Sequence, residues 1–508
     1  MRIANTATNP SASMRSQPRI AGIDQRTVAW FSLLALAGGL AVLQPVWLLG
    51  CLAVLAILGG CWLAFVYARR IGMELWQALL LVALTGYMLL NYGFENVAIH
   101  VGGFPIIISY GLMYISLALA IFSRRNLIAK AWLCEPAILC MLGLLALTFV
   151  HFVVDLPAYG IWAVRDATMC LDGLFMLLGL AWAMDGKSIG FISKWLLVVF
   201  TLNMLYSFTL PWGEKLWSWS PENGVFLKVP ILGTYNGAGD LLLAGAVFCV
   251  CVGGYIVKRP AWLMLALTIG QFLGIAITQV RRMYVGTVVV LFLLVLLGEA
   301  KKFAKVLVLL PVAVAIIVLA TSWGGLEIEG RIGPVNLAFF KEHIRSIFGA
   351  EDTPGSHPQS RVLMGGEAFQ HFLTHPVFGE GFGQPLTSII DTTNGAVNRM
   401  PHNSSITYLA RLGLVGFAVW IAYHFCLLRR FAYALRRRRH CDDPRVGAFA
   451  LWAFLFYVLF LLGSLVEAPF EFPSGAVPFY FLMGFALGLI RWHLSPKNKT
   501  KQRQMIPA

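Results

Sequence analysis

The sequence predicts an all-α fold, a polytopic bundle of transmembrane helices, and two observations support this prediction. Hydrophobic residues make up 58% of the 508 residues and charged residues only 12%, whereas a soluble protein carries about 25% charged residues. The apolar residues also form one run after another of about 20 residues, which is the length that a helix needs to cross a bilayer. This composition excludes a soluble multidomain protein.

The apolar runs predict about 14 membrane spans, and at least 12. The spans are expected near residues 28–43, 46–66, 75–92, 104–122, 132–152, 166–184, 195–212, 237–257, 261–279, 283–298, 304–320, 405–428, 446–466 and 474–491. They divide the chain into a cytoplasmic N-terminal tail (1–27), transmembrane helices 1–11 (28–320), a large, partly helical outer loop domain (321–403), transmembrane helices 12–14 (404–491) and a cytoplasmic C-terminal tail (492–508).

The positions of lysine and arginine predict which helix ends face the cytoplasm. With the N-terminus inside, most of the 39 basic residues fall in inner segments, so both termini are predicted to be cytoplasmic. The run Arg436–Arg439 is interpreted as a topology anchor rather than a nucleic-acid site, and no nucleic-acid partner is expected. The basic residues outside the inner segments are Arg165, Lys215, Lys228, Arg281, Arg282, Arg331, Lys341, Arg345, Arg361, Arg399 and Arg411.

Arg281 and Arg282 lie in a predicted turn on the side that should be poor in basic residues. A topology anchor does not belong there. A pair of guanidinium groups at a membrane boundary suits a phosphate or diphosphate, because each group presents a planar fork of donors to the oxygens. The alternative is a pair that snorkels to the interface or neutralises a carboxylate.

The outer loop, residues 321–403, is far longer than an ordinary connection and is expected to be functional. Val335 to Phe348 and Arg361 to Thr374 both have apolar residues at helical spacing, which predicts two amphipathic helices. Arg361 opens the second helix, where the helix dipole disfavours a cation. That position favours binding of an external anion, with an ordinary solvated charge as the alternative.

His402 precedes the apolar span that follows the loop, and an imidazole at a bilayer boundary can act as a base near neutral pH. The alternative is a hydrogen-bonded histidine at a helix end, since Asn403 and Ser404 are suitable caps for the next helix. His371 and His375 have the i, i+4 spacing of a metal pair but lack a third ligand, so no metal site is predicted.

Three segments together resemble the O-antigen ligase and O-antigen polymerase superfamily of bacterial envelope glycan assembly. The main segment contains Arg361, then His375-Pro376 with Gly379, Gly381 and Gly383, then His402-Asn403-Ser404-Ser405 with Tyr408, Leu412-Gly413-Leu414 and Gly416. The other two are Thr278-Gln279-Val280-Arg281-Arg282 and Gly233-Thr234-Tyr235-Asn236-Gly237. The resemblance covers roughly Gly233 to Leu428, less than half of the chain.

The resemblance implies a multi-pass enzyme of the bacterial inner (cytoplasmic) membrane whose active site lies on the periplasmic face, so that the outer loop is periplasmic. Members of this superfamily move a glycan from undecaprenyl diphosphate to a hydroxyl of a glycan or lipid-linked acceptor, without a metal or other cofactor. Carried over to this chain, the resemblance implies that Arg281 and Arg361 hold the diphosphate, with Arg282 as a second candidate, and that His402 activates the acceptor hydroxyl.

Two enzyme subtypes and two other classes of function remain open on the sequence. The extra spans favour a polysaccharide polymerase, as in exopolysaccharide or O-antigen chain extension, over a ligase of lipopolysaccharide biosynthesis. A transporter or flippase of a lipid-linked or anionic solute is the main alternative, but no internal repeat supports it. A membrane scaffold whose large loop binds envelope proteins is the third class of function. Other polysaccharide-assembly proteins are candidate partners of the enzyme. Membrane lipids are expected partners in every case.

Overall fold

The computed structural model describes residues 73–494 except 96, 102–103, 134, 185–187, 221, 224–228, 233–237, 257–260, 323–327, 346–357 and 390–398. By its contacts the chain divides into Met1–Ala64 and Phe65–Ala508, and every described residue belongs to the second unit. The predicted N-terminal tail, the spans at 28–43 and 46–66, and most of the C-terminal tail lie outside the described residues.

The described residues form a bundle of α-helices. The helices are α1 (Leu75–Leu90), α2 (Tyr92–Glu95), α3 (Ile108–Leu133), α4 (Pro136–Tyr159), α5 (Ile161–Leu171), α6 (Leu174–Ala183), α7 (Ser188–Ser207), α8 (Gly213–Trp219), α9 (Ala238–Phe248), α10 (Gly254–Ile256), α11 (Ala261–Thr278), α12 (Arg281–Leu296), α13 (Ala300–Ser322), α14 (Leu337–Arg345), α15 (Pro358–Thr374), α16 (Ser404–Arg437), α17 (Pro444–Ser464) and α18 (Pro473–Leu489). Short π-helical segments follow α9 and α18, and single 3₁₀ turns precede α8 and follow α16.

Eight helical segments in the described residues are long and apolar enough to cross a membrane, and three shorter apolar helices accompany them. The eight are Pro136–Tyr159, Ile161–Ala183, Ser188–Ser207, Ala261–Thr278, Ala300–Thr321, Ser404–His440, Pro444–Ser464 and Pro473–Leu494. Each span predicted after residue 72 coincides with a helix or a pair of consecutive helices. The helical bundle is therefore confirmed, while the count of 14 spans remains a prediction.

Two short antiparallel strand pairs add to the predicted helices. Strands β1 (Ala98–Val101) and β2 (Phe104–Ile107) form one pair, and β3 (Glu222–Asn223) and β4 (Val229–Pro230) form the other. The span predicted from residue 104 consequently begins at Ile108. Residues 104–107 instead pair with β1, and Pro105 disfavours helical geometry in Phe104, the residue before it.

Helices α6 and α18 pack closely through glycine at the centre of the bundle. A Cβ atom on Gly179 would lie 2.1 Å from the carbonyl oxygen of Phe481, and one on Gly484 would lie 2.0 Å from that of Met176. Small residues at such positions let helix backbones approach each other. This contact fixes the start of α18, where the candidate site lies.

Three arginines from outside the inner segments surround one buried acid, Asp166 in α5. Oδ2 of Asp166 lies 2.9 Å from Nη2 of Arg399 and 2.9 Å from Nη2 of Arg411, and Oδ1 lies 3.3 Å from Nη1 of Arg165. The backbone N–H of Gly383 also donates to Oδ2, at 3.1 Å. These contacts fasten the loop after α15 to helices α5 and α16.

The glycines at 379, 381 and 383 form a tight turn. Their φ angles are 78°, 86° and 105°, in a region that favours glycine. A Cβ atom on Gly379 would lie 2.4 Å from the carbonyl oxygen of Arg411, so a side chain does not fit there. The turn thereby packs its backbone directly against α16, near the kink at Gly413.

The two amphipathic helices predicted in the long loop are confirmed as α14 and α15, and α15 ends at Thr374 before His375-Pro376. The next predicted feature, a cap on α16, is also confirmed. Asn403 is the N-cap residue, and its side chain accepts from the N–H of Ile406 at 3.1 Å. Helix α16 contains 34 residues and is therefore about 50 Å long, so its arginine-rich end is far from His402.

Candidate active site

A cavity of about 190 Å³ lies at the end of the bundle where α16 begins. Its charged and titratable lining residues are Tyr92, Asp240, Arg282, Arg331, Arg361, His402 and Glu467. Leu241, Val280, Phe456, Phe460 and Phe472 line it with apolar surface. An apolar wall beside charged groups strengthens their electrostatic interactions, because less water is present to screen them.

Glu467, in the connection between α17 and α18, contacts three of the cationic side chains. Its Oε1 lies 2.9 Å from Nη2 of Arg361 and 3.8 Å from Nη1 of Arg282, and its Oε2 lies 3.3 Å from Nδ1 of His402. One carboxylate thus joins α12, α15 and the segment that leads into α16. The contact with His402 orients the imidazole.

The backbone on either side of Glu467 is held by the same segments. Nη1 of Arg361 donates to the carbonyl oxygen of Val466 at 2.9 Å, and Nδ2 of Asn403 donates to that of Leu465 at 3.0 Å. The guanidinium of Arg361 therefore holds Glu467 in two ways. It pairs with the Glu467 carboxylate, and it donates to the backbone of the preceding residue, Val466.

Arg282 is fixed by a second acid, Asp240, in the first turn of α9. Nε and Nη2 of Arg282 donate to the two carboxylate oxygens of Asp240 at 3.1 and 2.8 Å. This bidentate pairing is the geometry in which an arginine–carboxylate contact is strongest. Asp240 binds Nε and Nη2 of Arg282, and the remaining nitrogen, Nη1, is the one that lies nearest to Glu467.

Unusual backbone conformations cluster at the cavity. Among the described residues, the non-glycine residues with positive φ are Asn91 at 51°, Gln279 at 52° and His402 at 52°. His402 lines the cavity, Asn91 precedes the lining residue Tyr92, and Gln279 precedes the lining residue Val280. Such conformations cost about 1–3 kcal/mol each and concentrate at functional sites. Their placement marks this cavity independently of its charges.

The structure brings together three of the four residues that the sequence singles out. Arg282, Arg361 and His402 line the cavity, whereas Arg281 is not among the lining residues. Arg281 lies close enough to Arg361 for their charges to repel each other. The proposed functions of all four residues remain predictions.

The sequence does not identify Arg331, Glu467 and Asp240 as parts of one site. The sequence gives one indication that Arg331 is functional, because it is among the basic residues outside the inner segments. Asp240 is an acid near the outer end of a predicted span, but no sequence pattern links it to Arg282. Glu467 stands 65 residues after His402, and no local pattern in the sequence announces their contact.

The arrangement is suited to an anion. Three guanidinium groups line the cavity against two carboxylates, which leaves excess positive charge beside an imidazole. Arginine can bind a phosphate with one edge while keeping a carboxylate on another, since it has five N–H donors. A phosphate-bearing ligand and a proton acceptor can therefore be held in the same cavity.

The acidity of Glu467 yields a prediction about stability. Burial raises its pKa, but the hydrogen bond with His402 and the charges of Arg282 and Arg361 outweigh burial and lower the pKa to about 2. A depressed pKa contributes stability that is fully present above the unfolded value of about 4.3 and is lost as the pH falls through the folded value.

We therefore expect wild-type protein to unfold at a higher Tm than Glu467→Gln, by a constant margin between about pH 6 and pH 8. The margin should shrink as the pH falls from about 4 towards 2. Thermal unfolding in detergent at a series of pH values measures it. A margin that stays undiminished at the acid end would contradict this account of Glu467.

Comparison with known proteins gives one family match and no curated relative. Residues 263–421 match the family model described as O-antigen ligase, Wzy_C. No curated protein matches the chain. The matched segment contains Arg282, Arg331, Arg361 and His402, but Asp240 and Glu467 lie outside it. This match supports a relationship of the segment to the O-antigen ligase superfamily.

Proposed function

We propose that this protein is a membrane glycosyltransferase that moves a glycan from an undecaprenyl-diphosphate carrier to a sugar hydroxyl, in O-antigen or exopolysaccharide ligation or polymerisation. The observation that carries the proposal is the convergence of Arg282, Arg361 and His402 on one cavity at the end of a membrane bundle. The family match supports a ligase or polymerase type of reaction.

Arg282 and Arg361 bind the diphosphate of the donor. Both guanidinium groups lie next to Glu467, on the wall of the cavity, and both have N–H groups directed at an anionic oxygen. Charge-assisted contacts of arginine with phosphate oxygens are short and geometrically specific. Arg281 adds positive charge beside Arg361 without lining the cavity, so its contribution is the smaller one.

His402 is the general base. It takes the proton from the acceptor hydroxyl as the acceptor oxygen forms a bond to C1 of the donor sugar. The bond between C1 and the diphosphate oxygen breaks, and its electron pair leaves with the carrier diphosphate. A single displacement of this kind inverts the anomeric configuration. Glu467 orients the imidazole and stabilises the imidazolium that forms, as a carboxylate does beside a catalytic histidine.

The proposed orientation places the cavity on the periplasmic side. His402 lies just before the start of α16, and the run Arg436–Arg439 lies at the opposite end of that helix and in the turn after it. The positive-inside rule assigns an arginine-rich end to the cytoplasm. A diphosphate carrier that presents its glycan outside the cytoplasm would then meet the cavity from the membrane.

The test is glycan transfer by the purified protein in lipid nanodiscs, with undecaprenyl-diphosphate glycan as donor and the acceptor glycan or lipid added. We expect a new glycosidic bond by mass spectrometry. Arg361→Ala should reduce kcat/KM about 10- to 100-fold, because it removes charge-assisted contacts with the donor. Arg361→Lys should recover only part of the loss, since lysine lacks the fork.

Arg345→Ala is the matched control, because Arg345 is an exposed arginine of the same loop that does not line the cavity. An equal loss in Arg345→Ala, or none in Arg361→Ala, refutes the assignment of Arg361. Movement of the donor across vesicles without any new bond would instead identify a transporter. In cells, deletion of a polymerase leaves single repeat units attached to the acceptor, whereas deletion of a ligase leaves full-length chains on the carrier.

A further inference from the structure

We infer that Arg331 is a third arginine for the carrier diphosphate, serving the charge that develops as the sugar leaves, and that Gln279 is the residue that positions it. This inference rests on the proposed function. It goes further by assigning separate roles to the arginines, and it adds two residues whose substitution should lower kcat while leaving KM nearly unchanged.

Arg331 is carried on a short docked turn between α13 and α14. The backbone N–H of Gly330 donates to the carbonyl oxygen of Gly333 at 2.9 Å, and that of Val335 donates to Ile328 at 2.8 Å. Glu329 and Pro334 form an isolated bridge beside these bonds. The residues from Ile328 to Val335 therefore form a closed turn with a defined backbone, and Arg331 lies at its tip.

Gln279 clamps this turn onto the end of α11. Its Oε1 accepts from the N–H of Ile332 at 2.7 Å and from that of Gly333 at 3.1 Å, and its Nε2 donates to the carbonyl oxygen of Gly333 at 2.8 Å. The N–H of Arg331 donates to the carbonyl oxygen of Ile277 at 3.1 Å. The turn is thus fixed by four hydrogen bonds to the residues that lead into α12.

Gln279 holds an unfavourable backbone conformation in order to make these bonds. The residue is 1% exposed and its φ is 52°, in a region that a glutamine rarely adopts. The same backbone turn starts α12 and so directs Arg282 into the cavity. A Cβ atom on Gly330 would lie 2.4 Å from Nε2 of Gln279, which shows how closely the turn is seated. One residue therefore sets the spacing of Arg331 from Arg282.

Arg331 lines the same cavity as Arg282, Arg361 and Glu467. Glu467, Arg282 and Arg361 are the charged groups that act on its guanidinium most strongly. Among the described residues, no carboxylate lies within ion-pair distance of Arg331, in contrast to Arg282 and Arg361. Its charge is therefore not already committed to a bidentate partner when the donor arrives.

The positive charge of Arg331 can stabilise the leaving group, which is the carrier diphosphate. In the donor, each phosphate carries one negative charge, because both ends of the diphosphate are esterified. When the bond to the sugar breaks, the electron pair adds a further negative charge to the leaving oxygen. A cation that meets this developing charge accelerates the reaction without tightening donor binding to the same extent. Arg331 makes this contribution.

The test compares four purified proteins in nanodiscs with wild type: Arg331→Ala, Gln279→Gly, the double variant and the control Arg345→Ala. Gln279→Gly is chosen because glycine accepts the positive φ and removes only the clamp. We expect Arg331→Ala to lower kcat about 10- to 100-fold with KM changed about twofold or less. Gln279→Gly should show the same pattern, and the double variant should be no slower than Arg331→Ala.

Binding gives a readout that does not depend on turnover. The affinity for undecaprenyl diphosphate, the more highly charged product, is measured by calorimetry on the same proteins. We expect Arg331→Ala and Gln279→Gly to weaken it about tenfold or more, and Arg345→Ala to leave it unchanged.

Several outcomes overturn the inference. It fails if Arg331→Ala matches Arg345→Ala in both rate and product affinity, or if Arg331→Ala changes KM alone. Losses of Gln279→Gly and Arg331→Ala that multiply fully in the double variant would contradict positioning by Gln279. Absence of transfer by wild type would refute the proposed function, whereas normal wild-type transfer with an unaffected Arg331→Ala would refute only this inference.

Discussion

Replacing His402 with alanine is expected to lower kcat by about 10²- to 10⁴-fold, the usual contribution of a general base. The reason is that, within the part of the chain that the structure describes, the other two side chains paired with Glu467 are arginines, which have no acceptor nitrogen. KM for the lipid-linked donor should change little, because the proposed diphosphate ligands Arg282 and Arg361 are unchanged. Steady-state transfer assays in nanodiscs measure both constants.

The backbone of His402 requires a second variant. With φ at 52°, alanine at this position is strained, and its loss of activity could come from a displaced α16. Asparagine tolerates this conformation well, so His402→Asn should fold normally and still be inactive. His375→Ala is the control, because His375 is an exposed histidine of the same loop outside the cavity. Full activity of His402→Asn would end the assignment of the base.

Replacing Asp166 with alanine is expected to destabilise the protein by about 3–5 kcal/mol, the cost of leaving a buried charge without its partner. The side chains of Asp166 and Arg411 are 3% and 2% exposed, and that of Arg399 is 10% exposed. Removal of the Asp166 carboxylate therefore leaves Arg399 and Arg411 without this ion-pair partner. The N–H of Gly383 also loses its acceptor, so the turn after α15 should loosen.

Thermal unfolding in detergent measures this effect as a large fall in Tm. Glu342→Gln is the control, since Glu342 is an exposed acid on α14. Proteolysis adds a local readout, because cleavage between α15 and α16 should become faster in Asp166→Ala. A Tm equal to that of Glu342→Gln would mean that the arginines around Asp166 are stable without it.

Hydropathy and charge along the chain are enough to predict much of this architecture. Runs of apolar residues are necessary and nearly sufficient for membrane helices, because an unpaired backbone group in lipid is too costly for other structures. Helical spacing likewise locates α14 and α15 in the long loop. The capping residue Asn403 is readable because an N-cap acts on its own neighbouring N–H groups.

The sequence does not determine whether Arg281 or Arg282 lines the cavity. Consecutive residues of a helix project about 100° apart, so adjacent arginines at the start of α12 point in different directions. Which of them lines the cavity depends on the rotation of α12, and the packed bundle sets that rotation. In the structure Asp240 pairs with Arg282, the residue that lines the cavity.

The pattern of basic residues along the chain is sufficient to show which arginines topology leaves unexplained, but only helix packing sorts them into two groups. Arg165, Arg399 and Arg411 gather around Asp166, where burial makes them structural. Arg282 and Arg361 contact Glu467 beside an open cavity, with His402 on the same carboxylate and Arg331 in the lining. Charge composition follows from local sequence, but the partner of each charge depends on contacts between residues far apart in the chain, which exist only after the helices pack.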